Sequence, residues 1–355
     1  MPSGDSSRWP PIGAGFFGEG RQTRPSSASC KKETMKTQPK NISNEQGSGL
    51  ESHPEQLSGH NAQQAHKGTA YDRITERVIE LLSQGTIPWH KPWSVKRGFP
   101  RNLVSKKAYR GINVFLLHAM QYESPFWLTF HQAQQLGASV RKGEKACPVV
   151  FWKRLEIEDK ESHEIEKIPM LRFYHVFNVA QLDGLKEMPT TDAEAVIAKP
   201  VEIVENMPLR PGIKHGMAAA FYSPGEDIVG MPNLEQFESE AAYYAALFHE
   251  LTHSTGHENR LNRPAVSSQK GFGSEDYSRE ELVAEMGAAF LCGQAGIEER
   301  TLNNSAAYIQ NWLTVLKNDN KLIVQAAAQA QKAADFILGV KHEESPAERQ
   351  ETDRV

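Results

Sequence analysis

In the stretch HELTHSTGH, residues 249 to 257, two histidines stand four apart. On a helix that spacing puts both rings on one face, where His249 and His253 can offer nitrogens to a single ion while Glu250 stands beside them. An ion held by two neutral imidazoles and a carboxylate, with water in the open position, lowers the pKa of that water. The glutamate then takes the proton, and the hydroxide attacks a polarised amide carbonyl. Two histidines and a glutamate suit zinc (Zn2+), with manganese (Mn2+) or cobalt (Co2+) as alternatives.

The third ligand must come from elsewhere in the chain. The segment SREELVAEMGAAFL, residues 278 to 291, places Glu281 and Glu285 four apart on one helical face, next to Ala288 and Cys292, which are small enough for close helix packing. Glu281 is the first choice as ligand, with Glu285 orienting a ligand histidine. The competing assignment is that Ser278-x-x-Glu281 is a capping box, which leaves Glu285 as the ligand. The pair is similar to the Glu-x-x-x-Asp of thermolysin-like gluzincins. His257 follows His253 by four residues, where a metzincin spaces its third histidine by six, so a local polar contact is expected of it. Tyr222 and Tyr277 are weak candidates for stabilising an oxyanion.

A different chemistry lies upstream. From Lys91 to Arg154 there are 12 Lys or Arg against two acidic residues, a local charge of 12 − 2 = +10. Such an excess is the footprint of a polyanion partner, and a single strand is held by cations along its phosphates with bases stacked on aromatic rings. Trp89, Trp93, Phe99 and Tyr109 lie in a Pro/Gly-rich stretch among Lys91, Lys96, Arg97, Arg101, Lys106, Lys107 and Arg110, and are the candidate stacking and phosphate-binding residues. Phe115, Phe126, Phe130 and Phe151 lie in apolar runs and are expected in the core. A solvated basic face without a nucleic-acid partner is the plain alternative. No helix-turn-helix or zinc-finger pattern points to sequence-specific duplex reading.

The elements that would position these groups can be read from periodicity. In YDRITERVIELLSQG, Ile74, Val78, Leu81 and Leu82 fall at helical spacing and Gly85 ends the helix. The prolines and glycines between Thr86 and Gly111 argue against regular structure, and INVFLLHAMQ reads as a helix. FWLTF, CPVVFWKRLEI and MLRFYHVFNVAQL have the composition of strands, with HQAQQLGA a helix between the first two. AAAFYSP and DIVGMP are two short strands around a Pro-Gly turn, and ESEAAYYAALFHELTHSTG is a long helix capped by Ser239 and ended by Gly256. Further helices are expected from about Arg279 to Gly293 and from about Ala306 to Leu338.

This order predicts an α+β fold of two domains. One, residues 67–185, is an α+β domain; the other, 201–340, is mainly helical with a small sheet and carries the metal motif. An acidic linker, 186–200, joins them. Residues 1–66 are too polar to offset chain entropy and read as a disordered tail, as do the charged residues 341–355. Met35 offers a second start position within that tail. Three scattered cysteines without a Cys-x-x-Cys pair fit a reducing, cytoplasmic setting. No run approaches the roughly 18 apolar residues of a membrane span, so no membrane partner is expected. Gly-rich phosphate loops are absent, and no polymerase carboxylate cluster is evident.

Taken in order, IPWHKPW, SKKAYRGINVFLL, FWLTFHQAQQLGASVRKGEKACPVVFWK, FYHVFNVAQLDG, HELTHSTGH and EELVAEMGAAFL resemble the ArdC-type antirestriction proteins of conjugative plasmids and other mobile elements. That family is related to an N-terminal region of TraC-type plasmid primases. The resemblance covers roughly residues 68 to 335. It implies an N-terminal domain binding single-stranded DNA without strong sequence preference, a C-terminal zincin-like metallopeptidase domain, and protection of incoming DNA from host restriction. Whether a protein substrate is cut stays open. A DNA-binding shield with a non-catalytic metal domain and a primase accessory module are the competing readings.

Overall fold

Thr69 opens the first helix, its hydroxyl accepting the Asp72 backbone N–H at 3.3 Å while the Asp72 carboxylate accepts the Thr69 backbone N–H at 2.7 Å. This reciprocal cap starts α1 (Ala70–Ser83), and Gly85, with φ +75°, lets the chain leave it. The computed structural model describes residues 68–90, 98–158, 165–186, 198–267, 275–297 and 306–340. The expected terminal tails and most of the expected linker lie outside them.

After α1 comes a 3₁₀ turn at Pro88–His90, then β1 (Arg101–Asn102) and α2 (Ile112–Ala119). β2 (Phe126–Thr129), α3 (Phe130–Gln135), β3 (Ser139–Val140), β4 (Cys147–Glu158), β5 (Ile165–Asn178) and β6 (Leu182–Asp183) follow. A four-stranded sheet has the order β1-β2-β5-β4, parallel between β1 and β2 and antiparallel elsewhere, while β3 and β6 pair separately. β4 is an edge. Buried Asn113 satisfies part of it, donating to the Val150 carbonyl at 2.8 Å and accepting the Val150 N–H at 2.7 Å.

The C-terminal half begins with α4 (Pro200–Glu205) and a small sheet of β7 (Gly212–Lys214), β8 (Phe221–Ser223) and β9 (Ile228–Gly230), in the order β7-β9-β8. α5 (Glu240–Ser254) carries the two histidines, its first turn capped by the Ser239 hydroxyl accepting the Ala242 N–H at 3.1 Å. Then come α6 (Pro264–Ser267), α7 (Glu275–Ala295), α8 (Ala306–Asn318) and α9 (Leu322–Ile337). The single helix expected from Ala306 to Leu338 is two helices. Asp319 breaks it by accepting the backbone N–H groups of Lys321 at 2.9 Å and Leu322 at 3.2 Å, bonds that compete with helix continuation.

The fold is α+β, and the two halves share one core. Ile74, Val78, Phe115 and Val149 from the first half belong to the same buried cluster as Phe290, Leu316 and Ala327 from the second. Phe115 and Phe290 meet with ring centroids 4.7 Å apart. Polar bonds cross the same boundary: the Thr75 hydroxyl donates to the Asn320 carbonyl at 2.6 Å, and the Gly111 N–H to Gln331 Oε1 at 3.0 Å. A smaller cluster of Leu103, Phe126, Leu128, Ala133, Ala138, Val179 and Leu182 fills the space under α3.

Candidate metal centre and nucleic-acid residues

α5 and α7 approach closely because Gly287 has no side chain: a Cβ there would stand 2.4 Å from Thr252 Cγ2. That contact sets the last turns of α5 against the middle of α7 and brings Glu281 over the histidine pair. The Nε2 atoms of His249 and His253 are 3.1 Å apart, and the Glu281 carboxylate lies 3.6 Å from the first and 3.5 Å from the second. Donors that each bind one tetrahedral ion at about 2.0–2.2 Å stand about 3.3–3.6 Å from one another, so this donor set fits a divalent metal.

The capping alternative does not apply, since α7 starts at Glu275 and Ser278 is inside the helix. Glu285 is directed elsewhere. Its carboxylate accepts the Trp89 indole N–H at 2.8 Å and the Tyr308 hydroxyl, with His90 Nε2 at 3.5 Å. The orienting role assigned to it from sequence falls to Glu280 at His253, where Oε1 lies 3.4 Å from Nδ1. Arg263 locks Glu280 in turn, bonding both carboxylate oxygens and reaching the Thr252 carbonyl at 2.9 Å. Burial alone would push the Glu280 carboxyl up, but Arg263 and His253 together hold it below the usual carboxylate range. Nothing in the spacing marks Glu280 and Arg263, 17 residues apart, as a pair.

Glu250 is buried beneath the same site, with the Tyr222 backbone N–H bonded to its carboxylate from the edge strand β8. Burial, with the charge of Glu281, raises its carboxyl against the pull of the two histidines, toward the range suited to a general base. Around His249 burial opposes the charged form, yet the carboxylates of Glu281, Glu250 and Glu285 outweigh it and raise the imidazole to about 9. That excess of negative charge also favours a dication. β8 is fixed to the end of α5 by a half-buried set: the Tyr222 hydroxyl donates to Asp227 at 2.8 Å, and Arg260 bonds both oxygens of Asp227 and the Ser254 carbonyl. The Tyr222 hydroxyl is therefore engaged with Asp227. His257 makes the local contact expected of it, accepting the Asn259 N–H at 3.2 Å. The Tyr277 side chain lies outside the described residues.

The nucleic-acid candidates are distributed differently from the sequence expectation. Trp89 is 0% exposed and Tyr109 4%, so neither presents a face for a base to stack on. Lys91, Trp93, Lys96 and Arg97 lie outside the described residues. Arg101 is half-buried on β1, and Arg110 pairs with Asp335 of α9. Lys106 and Lys107 are exposed, the first with its Nζ 5.5 Å from the Phe126 ring centre. Phe115 and Phe126 are buried as expected, whereas Phe130 and Phe151 are exposed, together with Trp152 and Tyr174. Alternation along β4 could have separated Phe151 from Trp152 by face. Only the packing shows that this part of the ribbon is left uncovered on both.

Two family models match the chain: the N-terminal domain of anti-restriction factor ArdC over residues 68–177, and a zincin-like metallopeptidase over residues 204–329. The chain is similar to the crystal structure of antirestriction ArdC protein from the R388 plasmid. The metal-free form is 39% identical with a TM-score of 0.61, covering 75% of this chain and 96% of that one. The Mn(II)-bound form is 37% identical with a TM-score of 0.60 and coverages of 76% and 97%. Protein y4eC of Sinorhizobium fredii is 35% identical over 298 residues, with 79% of this chain and 94% of that protein covered. DNA primase TraC of Escherichia coli is 36% identical over 297 residues, and the chain spans 27% of its length. Among the described residues no helix is long and apolar enough to cross a membrane.

Proposed function

This chain belongs to the ArdC family of antirestriction proteins, and we propose that it binds single-stranded DNA through its N-terminal half and hydrolyses protein at a zinc site in its C-terminal half. In this reading it protects the entering DNA of a mobile element from host restriction endonucleases. The observation that carries the enzymatic part is the convergence of His249, His253 and Glu281 on one point beside buried Glu250.

The residues divide the work as follows. His249, His253 and Glu281 would hold the ion, and Glu280 keeps the His253 ring turned toward it through Nδ1. When bound, the ion supplies Lewis acidity to a water molecule and to a substrate carbonyl. Glu250 accepts the proton of that water at its carboxylate, and returns it to the leaving amine. A protein bound to the entering strand would be delivered to this site by the DNA-binding half.

The test compares wild type with Glu250→Gln for binding to a labelled single strand and its duplex, for cleavage of DNA-bound proteins, and for protection of transferred DNA in a restricting host. Loss of cleavage and protection with DNA affinity unchanged supports the proposal. Protection that survives Glu250→Gln assigns the protein to a shield with a non-catalytic metal domain. Absence of single-strand binding by both proteins rejects the DNA reading.

A further inference from the structure

We propose that the single strand docks on one exposed face of the β4–β5 ribbon, with Phe151 and Tyr174 as the stacking rings and Arg172 as a phosphate contact. The inference rests on the reading of the N-terminal half as a single-strand binder, and it moves the site away from Trp89 and Tyr109.

Register defines the face. In an antiparallel pair directly opposed residues project to the same side, and Phe151 opposes Arg172 while Val149 opposes Tyr174. Phe151, Arg172 and Tyr174 therefore share one face. Val149, at its inner end, is fully buried, whereas Phe151 is 44% and Tyr174 43% exposed. The two rings are diagonal neighbours with centroids 5.8 Å apart and planes at 64°. Behind them Tyr109 packs on Phe151 at 6.0 Å, so the ring is supported from the interior while part of it meets solvent. Two large aromatic side chains left half in water, side by side and braced from below, form a stacking platform.

The chemistry around the platform selects the occupant. Arg172 is exposed on the same face. The loop that delivers Tyr109 also carries exposed Lys106 and Lys107, within the segment whose local charge is +10. An apolar protein partner would be repelled by no charge but would gain nothing from these cations, whereas a polyanion with free π-faces uses both. Bases already paired and stacked in a duplex do not offer those faces, so the platform favours a single strand. On the opposite ribbon face, Trp152 is 58% exposed and meets the edge of Tyr71 at 6.5 Å, which provides an internal control of similar chemistry.

The experiment uses the full chain and fluorescein-labelled oligothymidylate, read by anisotropy, for wild type, Phe151→Ala/Tyr174→Ala and Trp152→Ala, with sedimentation of each protein. The double variant is expected to bind roughly 5- to 150-fold more weakly for each base stack lost, and Trp152→Ala within about twofold of wild type. Because the substituted rings are already exposed, circular dichroism should be unchanged. Wild-type binding with an unaffected double variant overturns this site while leaving single-strand binding standing. Equal losses in Trp152→Ala overturn the choice of face. A wild-type dimer that the double variant dissociates makes the face a self-association surface and also overturns the proposal. No wild-type binding removes both the site and the reading beneath it.

Discussion

The indole N–H of Trp89 donates to the carboxylate of Glu285 across 2.8 Å, and so ties the turn after α1 to the helix that carries Glu281. Tyr308 of α8 and His90 close the set around the same carboxylate, and Trp312 meets Trp89 edge to face at 6.1 Å. The N-terminal half is therefore part of the support of the helix that carries Glu281.

Substituting Trp89→Phe keeps an aromatic ring and removes this donor from a largely buried carboxylate. Unfolding free energy should fall by about 1–3 kcal/mol in urea denaturation. Since the halves share a core, far-UV dichroism and tryptophan fluorescence should trace one transition in wild type and variant alike. Two separated transitions would show that the halves unfold independently.

Gly287→Ala places a methyl group against Thr252 and must push α7 away from α5. A destabilisation of about 1–3 kcal/mol is expected, accompanied by weaker Zn(II) and Mn(II) binding as Glu281 withdraws from the histidines. Thr252→Ala removes the atoms that clash, so the double variant should recover metal affinity. Calorimetric titration of the three proteins decides it, and unchanged affinity in Gly287→Ala would contradict the packing argument.

The neighbouring glutamates make separable contributions to ion binding. Glu281→Ala removes a donor and should abolish measurable metal binding at micromolar protein. Glu280→Gln leaves all three donors but loosens the His253 ring, so a loss of about 10- to 100-fold is expected. If Glu285→Gln proved as damaging as Glu281→Ala, the assignment of the third ligand would be wrong.

Acid should weaken the site through Glu280. Its carboxyl is held below the ordinary value in the folded protein, chiefly by Arg263 acting against burial. The resulting stability is fully present above the unfolded carboxyl value of about 4.3 and is lost as pH falls through the folded value. In Arg263→Met the buried carboxyl takes up its proton without that partner, so this part of the acid dependence should vanish from a series of denaturation midpoints measured between neutral and acid pH. A variant with the wild-type profile would remove Glu280 as its source.

Local chemistry was legible in the residues themselves. A four-residue spacing on a helix obliges His249 and His253 to share a face, and Ser239 and Thr69 cap their helices through atoms three residues away. The strands of the ribbon and two strands of the small sheet, β8 and β9, follow from β-branched and aromatic runs, which is a near-neighbour property as well, whereas β7 carries no such run. The tertiary structure alone chose among Glu280, Glu281 and Glu285, because one carboxylate meets the histidines, another an arginine of the loop before α6, and the third a tryptophan 196 residues earlier. It likewise buried Trp89 and left Phe151 in solvent, reversing what their flanking residues imply. A side chain's exposure depends on which distant element covers it, and a carboxylate's role on which partner it meets. Neither quantity is carried by composition or period along the chain.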